Sequence, residues 1–591
     1  MNKNSKIIAM LTLFVILGLS IGYSTYSTKL SIEDIMASIR EQKDIRITGI
    51  SVEASTSDGT SNYEDYNINN ISSGIYLPND DSYVTYKVTI TNFEGPEMGI
   101  YAITGLPDNL EYSISNYVLK DKICDENNNC SLGITKDIYI TIKYKEYDSS
   151  NTTYNLTLDL DFREVHTITY ENIDGSYYDN EVLDGDTLEV AFGSDIVKCI
   201  IVDSNGNQFV DDGTYYELSN GILKVYDVSD SLTITAYSST KTLSYFVTNI
   251  YSSADKTTVT NGGISYYYAT HPKLMNDRLG GTTSDYNGGN IRYYGANPNN
   301  YVYFNCETYP STNCELWRII GVFDGKVKLI RNDSIGILSY DLTASTVNSG
   351  YGINQWGDTS TYDGADLMKM LNPNYDDNID IDANNNLISI NNSLYWNNQN
   401  GKCYANKLDR ENAVINCNFN SSNTGMKNNI TRNMISDNVW YFGGQESTDI
   451  FANQLYANER SGSVILNPSD GITRTTSWTG KISLMYASDY AYASDFTQCK
   501  VAVNQYGTET SADICSNNDW LFKHDADERI LNPNPNSTFR VCYINEYGSL
   551  FCHDYGAYGM AYIRPVLHLE ANQIVIGGSG EPSNPLKLLA G

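Results

Sequence analysis

The sequence predicts a mainly β, multidomain protein with a short N-terminal helix, two immunoglobulin-like or small β-sandwich domains, and a larger α+β domain. Its 591 residues exceed what one hydrophobic core usually holds, so several domains are expected. Apolar and polar residues alternate along many short segments, and the 49 tyrosines favour pleated, half-buried surfaces. Close pairs of cysteines recur along the chain, which is typical of secreted proteins stabilised by disulfides.

The N-terminus has the layout of an export signal. Lys3 and Lys6 precede a charge-free, mostly apolar stretch at 7–21, and small residues follow it. We therefore expect 1–27 to be a signal peptide. The alternative is an uncleaved N-terminal anchor, because the apolar stretch approaches the length that crosses a bilayer.

A short amphipathic helix is predicted for residues 28–43. Ile32, Ile35 and Ile39 recur at helical spacing, and Ser31 is placed to cap the first turn. We expect this helix to act as a stalk against the first domain. A helix that lies on the membrane is the alternative, but acidic residues in its first turn would oppose an anionic surface.

The first β domain is predicted at 44–163. Val84 and Tyr86 in one segment, and Ile138 and Ile140 in another, alternate with polar residues, so each set would face one side of a strand. Turn-forming residues separate these segments. The pattern indicates an immunoglobulin-like β-sandwich.

A second, smaller β domain is predicted at 164–240. Its strands are divided by turn dipeptides such as Asn220-Gly221, which favour a tight hairpin because both residues tolerate positive φ. Cys199 has no partner nearby in the sequence and lies among apolar residues. We expect it to be a buried thiol, with an intermolecular bridge as the alternative.

A linker and a large C-terminal domain complete the predicted organisation. Residues 241–263 are polar and rich in Ser and Thr, which indicates a linker. Residues 264–591 hold four cysteine pairs and all six tryptophans, and we expect a disulfide-rich α+β domain there. Two helices are predicted within it, one after Asp363 and one from about Ser488.

Ten of the eleven cysteines form close pairs, and each pair is expected to be a disulfide. The pairs are Cys124 with Cys130, Cys306 with Cys314, Cys403 with Cys417, Cys499 with Cys515, and Cys542 with Cys552. None has the C-x-x-C spacing of a zinc site. Cys542 and Cys552 are equidistant from Tyr547, so a turn centred there would place them opposite each other on antiparallel strands.

Charge and motif content exclude several classes of function. A net charge of -32 leaves no evident cationic face, so no nucleic-acid partner is expected. The five histidines lack the spacing of a zinc-protease helix, and no nucleophile elbow or phosphate-binding loop is present. Asp380, Asp382 and Asn384 resemble the start of a calcium loop, but its glycine and closing glutamate are missing, which favours a solvated turn. We expect no catalysis, no metal and no cofactor.

Six segments of the C-terminal domain carry distinctive motifs: 301–306, 314–322, 440–444, 478–493, 518–521 and 563–569. Together they resemble an uncharacterised domain of exported proteins from low-GC Gram-positive bacteria. The domain is also similar to the C-type-lectin-like fold, whose opening strand carries a Trp, here Trp317, and whose closing strand carries Arg-Pro, here Arg564-Pro565. This resemblance implies that the two ends of the domain meet. The calcium and sugar signature of true C-type lectins does not match, so calcium-dependent sugar binding is not implied.

The function expected from these features is extracellular or cell-surface adhesion or recognition, with a glycan or protein ligand bound by the C-terminal domain. The candidate ligand-binding residues are Tyr547, His553, Tyr555 and Tyr558, because tyrosine supplies rigid amphipathic contact area. Ordinary core packing is the alternative role for these tyrosines. A structural subunit of an extracellular matrix or filament is an alternative function, since the signal resembles those of biofilm-matrix proteins, and an enzyme with an unrecognised site is another. Membrane contact is expected only through an uncleaved N-terminal segment.

Overall fold

The computed structural model describes residues 44–56, 58–94, 96–115, 118–119, 134–171, 177–209, 213–278, 289–341, 352–373, 378–381, 387–391, 394–397, 401–404, 414–417, 425–445, 450–507, 510–523, 527–553 and 556–589. Several predictions lie outside these residues. They are the signal peptide at 1–27, the helix at 28–43, the disulfide between Cys124 and Cys130, the calcium-loop candidates Asp382 and Asn384, and the binding candidate Tyr555.

The structure is 47% strand and 11% helix, which confirms the mainly β class. It divides into two compact units. The N-terminal unit comprises the described residues up to Phe192 together with Ile200–Thr235, and the C-terminal unit comprises Gly193–Cys199 and the described residues from Ala236 onward.

The strands up to residue 238 are β1 (Asp44–Ser55), β2 (Thr60–Tyr66), β3 (Asn70–Tyr76), β4 (Tyr83–Glu94), β5 (Met98–Thr104), β6 (Leu110–Ser115), β7 (Val118–Leu119), β8 (Ile134–Tyr144), β9 (Thr153–Glu171), β10 (Tyr177–Leu183), β11 (Leu188–Ala191), β12 (Ile196–Asp203), β13 (Tyr216–Ser219), β14 (Ile222–Val225) and β15 (Leu232–Ser238). They form sheets in the orders β1-β4-β8-β6, β12-β15-β9-β3-β2 and β11-β14-β13, with β5 and β10 paired to β9 and β7 paired to β5.

Two sheets of the N-terminal unit share one apolar core. Val84 and Tyr86 of β4, and Ile138 and Ile140 of β8, are fully buried, as the alternating sequence pattern predicts. They pack with apolar side chains of β3, β5 and β9, which belong to the other sheet. This core is made of aliphatic and tyrosine side chains, so hydrophobic burial is the main term that stabilises it.

The predicted boundary between 163 and 164 was wrong, because β9 runs through it without a break. The first part of β9 pairs with β3, its middle pairs with β5, and its last part pairs with β10 and, in parallel, with β15. A single strand of 19 residues therefore belongs to both predicted β domains. Shared ladder hydrogen bonds along one strand join the two regions into one unit.

The predicted hairpin at Asn220-Gly221 is present between β13 and β14. Asn220 has φ 52° and Gly221 has φ 73°, and Ser219 pairs with Ile222 across the turn. Positive φ at both central residues is what a two-residue hairpin of this type requires. Cys199, in β12, is buried with 1% exposure, which fits a thiol enclosed among apolar residues.

The prediction of a linker at 241–263 was also wrong. This region contains the helix α1 (Leu243–Ser252) and the strand β16 (Lys256–Asn261). Leu243, Val247 and Tyr251 recur at helical spacing and are buried in the core of the C-terminal unit. Their spacing outweighs the polar composition, because one apolar stripe is enough to fix an amphipathic helix on a core.

The other helices are α2 (Asp366–Leu371), α3 (Leu394–Asn397), α4 (Asn429–Asn433), α5 (Ala452–Glu459), α6 (Ala487–Ala493) and α7 (Thr510–Asn517), with 3-10 turns at Ser239–Lys241 and Val503–Gln505. The remaining strands are β17 (Ile264–Ala269), β18 (Leu274–Asn276), β19 (Ile291–Tyr293), β20 (Tyr301–Phe304), β21 (Glu315–Phe323), β22 (Lys326–Arg331), β23 (Ile337–Ser339), β24 (Asn378–Ile381), β25 (Leu387–Asn391), β26 (Gly401–Tyr404), β27 (Val414–Cys417), β28 (Asn438–Tyr441), β29 (Ser477–Gly480), β30 (Ile482–Ser483), β31 (Glu528–Pro533), β32 (Val541–Ile544), β33 (Leu550–Phe551), β34 (Met560–Tyr562), β35 (Val566–His568), β36 (Val575–Gly577) and β37 (Lys587–Leu588). Helices α2 and α6 lie where the sequence predicts helices.

Two larger sheets organise the C-terminal unit. One has the order β16-β17-β18-β19-β21-β22-β35-β30, with β20 paired to β21, and the other has the order β23-β34-β31-β32-β33. Trp317 of β21 is fully buried in the single large core between these elements. The ends of the unit approach each other, because Thr242 pairs with Ile574 and Val302 pairs with Leu586.

Three of the five predicted cysteine pairs lie at disulfide distance, all of them in the C-terminal unit. They are Cys306–Cys314, Cys499–Cys515 and Cys542–Cys552. Among the described residues, every helix is too short or too polar to cross a bilayer.

The other two predicted disulfides are not among these three. Cys124 and Cys130 lie outside the described residues, so the disulfide between them stays a prediction. For Cys403 and Cys417 the structure describes the backbone, in which Cys403 pairs with Ile415 and Cys417 pairs with Gly401. These two cysteines lie on adjacent strands but not directly opposite each other, and their disulfide also stays a prediction.

Candidate recognition site of the C-terminal unit

The hairpin β32–β33 has the register that the cysteine spacing predicts. Tyr543 pairs with Phe551 and Ile544 pairs with Leu550, so the turn is centred on Tyr547. The Cα atoms of Cys542 and Cys552 are 4.0 Å apart at the base of the hairpin. A disulfide between facing strand positions closes the base, and the turn projects from it.

Hydrogen bonds within the turn give it a fixed shape. The Asn545 side-chain oxygen accepts from the backbone N–H of Tyr547 at 3.1 Å and of Ser549 at 2.7 Å. The Gly548 N–H donates to the Asn545 carbonyl at 2.9 Å, and Gly548 has φ 97°. An asparagine side chain that replaces backbone partners in this way is a common means of ordering a turn.

Neighbouring elements also support the turn from outside the hairpin. Ser516 Oγ of α7 donates to the Tyr547 carbonyl at 2.9 Å, and Tyr490 Oη of α6 donates to the Gly548 carbonyl at 2.8 Å. The Tyr547 backbone also comes so close to Gly507 that a Cβ there would lie 2.4 Å from the Tyr547 carbonyl oxygen. The turn backbone is therefore held by three separate segments.

A second disulfide stabilises the supporting helix. Cys515, next to Ser516 in α7, is bonded to Cys499, which is buried in the core. The helix that donates to the Tyr547 carbonyl is thus covalently tied to the body of the unit. The two elements that meet at this contact are thus each anchored by a disulfide, Cys499–Cys515 for the helix and Cys542–Cys552 for the hairpin.

The side chain of Tyr547 projects from this rigid support into solvent. It is 62% exposed, and the neighbouring Glu546 carboxylate accepts its hydrogen bond and raises the pKa of the phenol. In α7, Ile514 is 47% exposed, but it lies two residues before Ser516 and so on a different face of the helix from the serine that holds the turn. We call the turn at 545–549, with the exposed Tyr547, the hairpin tip. It presents an aromatic ring and a hydrogen-bonding phenol.

The other predicted binding residues lie away from the tip. His553 is exposed but follows Cys552 at the base of the hairpin, six residues along the chain from Tyr547, or up to about 20 Å at the usual strand rise. Tyr558 is half-buried and packs against the core of the unit, and its carbonyl accepts a short hydrogen bond from Ser339 Oγ. The structure thus places Tyr547 and His553 at opposite ends of the hairpin.

A second exposed apolar side chain lies on the loop between α5 and β29. Leu466 is 83% exposed. The loop is held by an ion pair of 2.8 Å between Arg474 and Asp470, whose side chains are 4% and 0% exposed. Leu466 lacks hydrogen-bonding groups and so offers less specific recognition than a tyrosine. Its exposure makes it a suitable control for the hairpin tip.

One cluster of charged side chains in the core of the unit is closed to solvent. Arg292, Asp489 and Lys328 form a buried cluster, with Arg292 Nη1 3.1 Å from Asp489 Oδ1 and Lys328 in a short contact with Asp489 Oδ2. The side chains of all three are at most 2% exposed. In the part of the chain that the structure describes, no group of three or more His, Cys, Asp or Glu side chains is placed to hold a metal ion.

Sequence reasoning missed the residues that support the tip. Ser516 and Tyr490 act through tertiary contacts with the turn, and neither stands out in a local pattern. The pair of Cys499 and Cys515 was the one available signal, because a predicted disulfide near α7 suggested an ordered segment. The contact between that segment and Tyr547 depends on the fold.

Comparison with known proteins found no match among family models, curated proteins or solved structures. The function must therefore be argued from the geometry of the chain itself.

Proposed function

We propose that this chain is an exported cell-surface protein of adhesion or recognition, which binds a glycan or protein ligand through its C-terminal unit and performs no catalysis. The observation that carries this proposal is the hairpin tip, where Tyr547 is 62% exposed on a turn held by two disulfide-linked elements. An aromatic side chain ordered before contact loses little entropy on binding. The three disulfides also fit an oxidising extracellular compartment.

The rest of the chain is proposed to present this unit away from the cell. The N-terminal strands act as immunoglobulin-like or small β-sandwich spacers in this proposal, and the C-terminal unit is a C-type-lectin-like domain. Two observations support the second assignment. Trp317 lies in β21, which is separated from β35 by one strand in the same sheet, and the ends of the unit pair at Val302 and Leu586.

The test compares two variants of the full chain on arrays of glycans and of purified extracellular-matrix proteins. Tyr547→Ala is expected to weaken retention of the bound ligand at least about tenfold, as loss of a central aromatic contact does. Leu466→Ser is the control, because it removes an apolar side chain that is even more exposed, 83% against 62%, from another loop of the same unit. It should leave retention unchanged. Retention of the wild-type chain on the glycan array would identify a glycan ligand, and retention on the protein array would identify a protein ligand.

Two outcomes would contradict the proposal. Failure of the wild-type chain to bind either array, together with concentration-dependent fibres, would favour a matrix or filament subunit. Normal binding by Tyr547→Ala and weak binding by Leu466→Ser would move the recognition surface to the loop around Leu466. Equal melting temperatures for both variants are expected, since both side chains are largely exposed.

A further inference from the structure

A polar pocket of about 240 Å³ opens beside the five-stranded sheet of the C-terminal unit. Glu528, at the start of β31, pairs with Tyr562 at the end of β34, and both line the pocket with Arg564. Lys523 and Asp333 line it from loops. A pocket of this volume is large enough for a small organic group.

Arg564 forms one wall of the pocket and is neutralised by Glu528. Its Nε and Nη2 atoms donate to the two carboxylate oxygens of Glu528 at 2.6 and 2.7 Å, and Nη2 also donates to the Leu521 carbonyl at 2.6 Å. Nη1 is enclosed and has no hydrogen-bond partner among the described residues. The bidentate pair fixes the guanidinium and leaves one donor of it unsatisfied.

A second arginine, Arg318, lies outside the pocket lining, but its charge acts on Lys523. Arg318 donates to three neutral oxygens, those of Asn300 at 2.8 Å, Trp520 at 3.3 Å and Pro298 at 3.3 Å. Burial is the main cause that lowers the pKa of Arg318 to about 10; the charge of Arg564 contributes to the decrease, and Tyr301 and Asp519 oppose it. Two consecutive backbone carbonyls just before Lys523, those of Trp520 and Leu521, thus accept hydrogen bonds from Arg318 and Arg564.

Lys523 follows Leu521 by two residues and lines the pocket. Among the described residues it forms no ion pair and no side-chain hydrogen bond. Burial lowers the pKa of Lys523 to about 8, and the charges of Arg564 and Arg318 add to this, whereas Asp333 and Glu528 oppose it. The lining holds two cations, Lys523 and Arg564, and two carboxylates, Asp333 and Glu528. Because Arg564 and Glu528 pair with each other, Lys523 is the cation of the lining that has no ion pair among the described residues.

We propose that this pocket binds the carboxylate of a small organic acid, with Lys523 as its ion-pair partner. A single lysine without an ion pair matches a monoanion better than the doubly charged phosphate of an ester. The carboxylate can belong to an acidic sugar or to the C-terminus of a peptide. This site is separate from Tyr547 and does not depend on the proposed role of the hairpin tip.

The test measures binding of small carboxylates to the full chain by calorimetry near neutral pH. D-glucuronate is compared with neutral D-glucose, and N-acetylglycine is compared with its uncharged amide. The member of each pair that carries the carboxylate is expected to bind, and the neutral member is not. The stronger of the two acids identifies the sugar or the peptide as the source. Binding of inorganic phosphate in preference to both acids would overturn the carboxylate assignment.

A residue-specific readout places the ligand in the pocket. Acetylation of each lysine by acetic anhydride is followed by mass spectrometry, because only the neutral amine reacts. A carboxylate that restores the usual lysine pKa lowers the neutral fraction of Lys523 more than about tenfold. Lys500, an exposed lysine of the same unit whose Nζ donates to the Thr260 carbonyl, should react at an unchanged rate.

Two substitutions complete the test. Lys523→Gln is expected to abolish calorimetric binding, and Lys500→Gln is expected to retain it, with the tryptophan-fluorescence melting curve unchanged in both. Unchanged affinity in Lys523→Gln, or unprotected Lys523 at saturating ligand, would overturn the proposal. Tyr547→Ala should leave this affinity as it is, so failure here is distinguishable from failure of the hairpin-tip proposal.

Discussion

The cores of the two units differ in whether they contain buried ion pairs. The large core of the N-terminal unit is an apolar layer between sheets, with Ile71, Ile75 and Leu158 fully buried and packed on tyrosines. The core of the C-terminal unit surrounds ion pairs. There the buried guanidinium of Arg292 is 2.6 Å from Asp277, and that of Arg564 is 2.6 Å from Glu528.

This difference has an energetic consequence. Apolar packing tolerates many substitutions of similar volume, whereas a buried charge that loses its partner retains its full desolvation cost. Burial lowers the pKa of Lys328 to about 8 in spite of its contact with Asp489, which shows how strongly this core opposes an isolated charge. We infer that the C-terminal unit gains specificity of structure from these pairs, at some cost in stability.

The largest expected effect tests whether α1 belongs to the C-terminal core. Replacement of Leu243, Val247 and Tyr251 by Ser in the full chain should abolish the cooperative melting transition of that unit. Each large-to-small change costs about 2–5 kcal/mol, and the sum exceeds the usual stability of a domain. Tryptophan fluorescence is a suitable probe, because all six tryptophans lie beyond residue 263.

The control for α1 is Tyr245→Ser on the exposed face of the same helix, where the side chain is 42% exposed. This variant should melt like the wild type. If the triple variant melted normally, α1 would not be part of the C-terminal core, and residues 241–263 would act as a linker after all.

The next effect concerns the buried ion pairs. Asp489→Ala leaves Lys328 and part of Arg292 without a carboxylate and should destabilise the C-terminal unit by about 3–5 kcal/mol, as measured by denaturant unfolding with tryptophan fluorescence. Asp437→Asn is the matched control, because Asp437 pairs with Lys481 at 3.4 Å but is 65% exposed. It should change stability little. Equal losses in the two variants would show that burial does not distinguish these pairs.

The smallest effect is a difference in pH dependence. Burial raises the pKa of Asp519 to about 7, against hydrogen bonds from Ser494 Oγ and the Leu521 N–H. The folded chain therefore prefers the protonated form of Asp519. The contribution of this group to folding stability is complete below the unfolded pKa of about 4 and is lost as the pH rises through about 7. Exposed acids of the N-terminal unit behave in the opposite way, since hydrogen bonds lower the pKa of Asp148 and Asp203.

Asp519→Asn should remove this pH dependence from the C-terminal unit. Relative to the variant, the wild type should lose up to about 1.4 kcal/mol of stability for each pH unit between about pH 4 and pH 7. Tryptophan-fluorescence unfolding at several pH values measures the difference. Parallel stability curves for the two proteins would mean that Asp519 is already ionised throughout this range.

Local patterns in the sequence determined much of the backbone. Alternation predicted the buried faces of β4 and β8, the dipeptide Asn220-Gly221 predicted its hairpin, and the spacing of Cys542 and Cys552 predicted the register of β32–β33. Each of these features depends on residues within one element or one turn, where periodicity and φ preferences act directly. The spacing of α1 was equally local, although its polar composition led to the wrong prediction.

Only the tertiary structure decided which charges are buried and which side chains support the tip. Asp277 and Asp489 contact the same guanidinium, that of Arg292, although they are far apart in the chain. Ser516 of helix α7 donates to the Tyr547 carbonyl in the β32–β33 turn. By itself the sequence favours a solvent-exposed position for any charged residue, because burial of an isolated ion is costly. The cost is offset only when distant partners converge, and that convergence is a property of the folded chain.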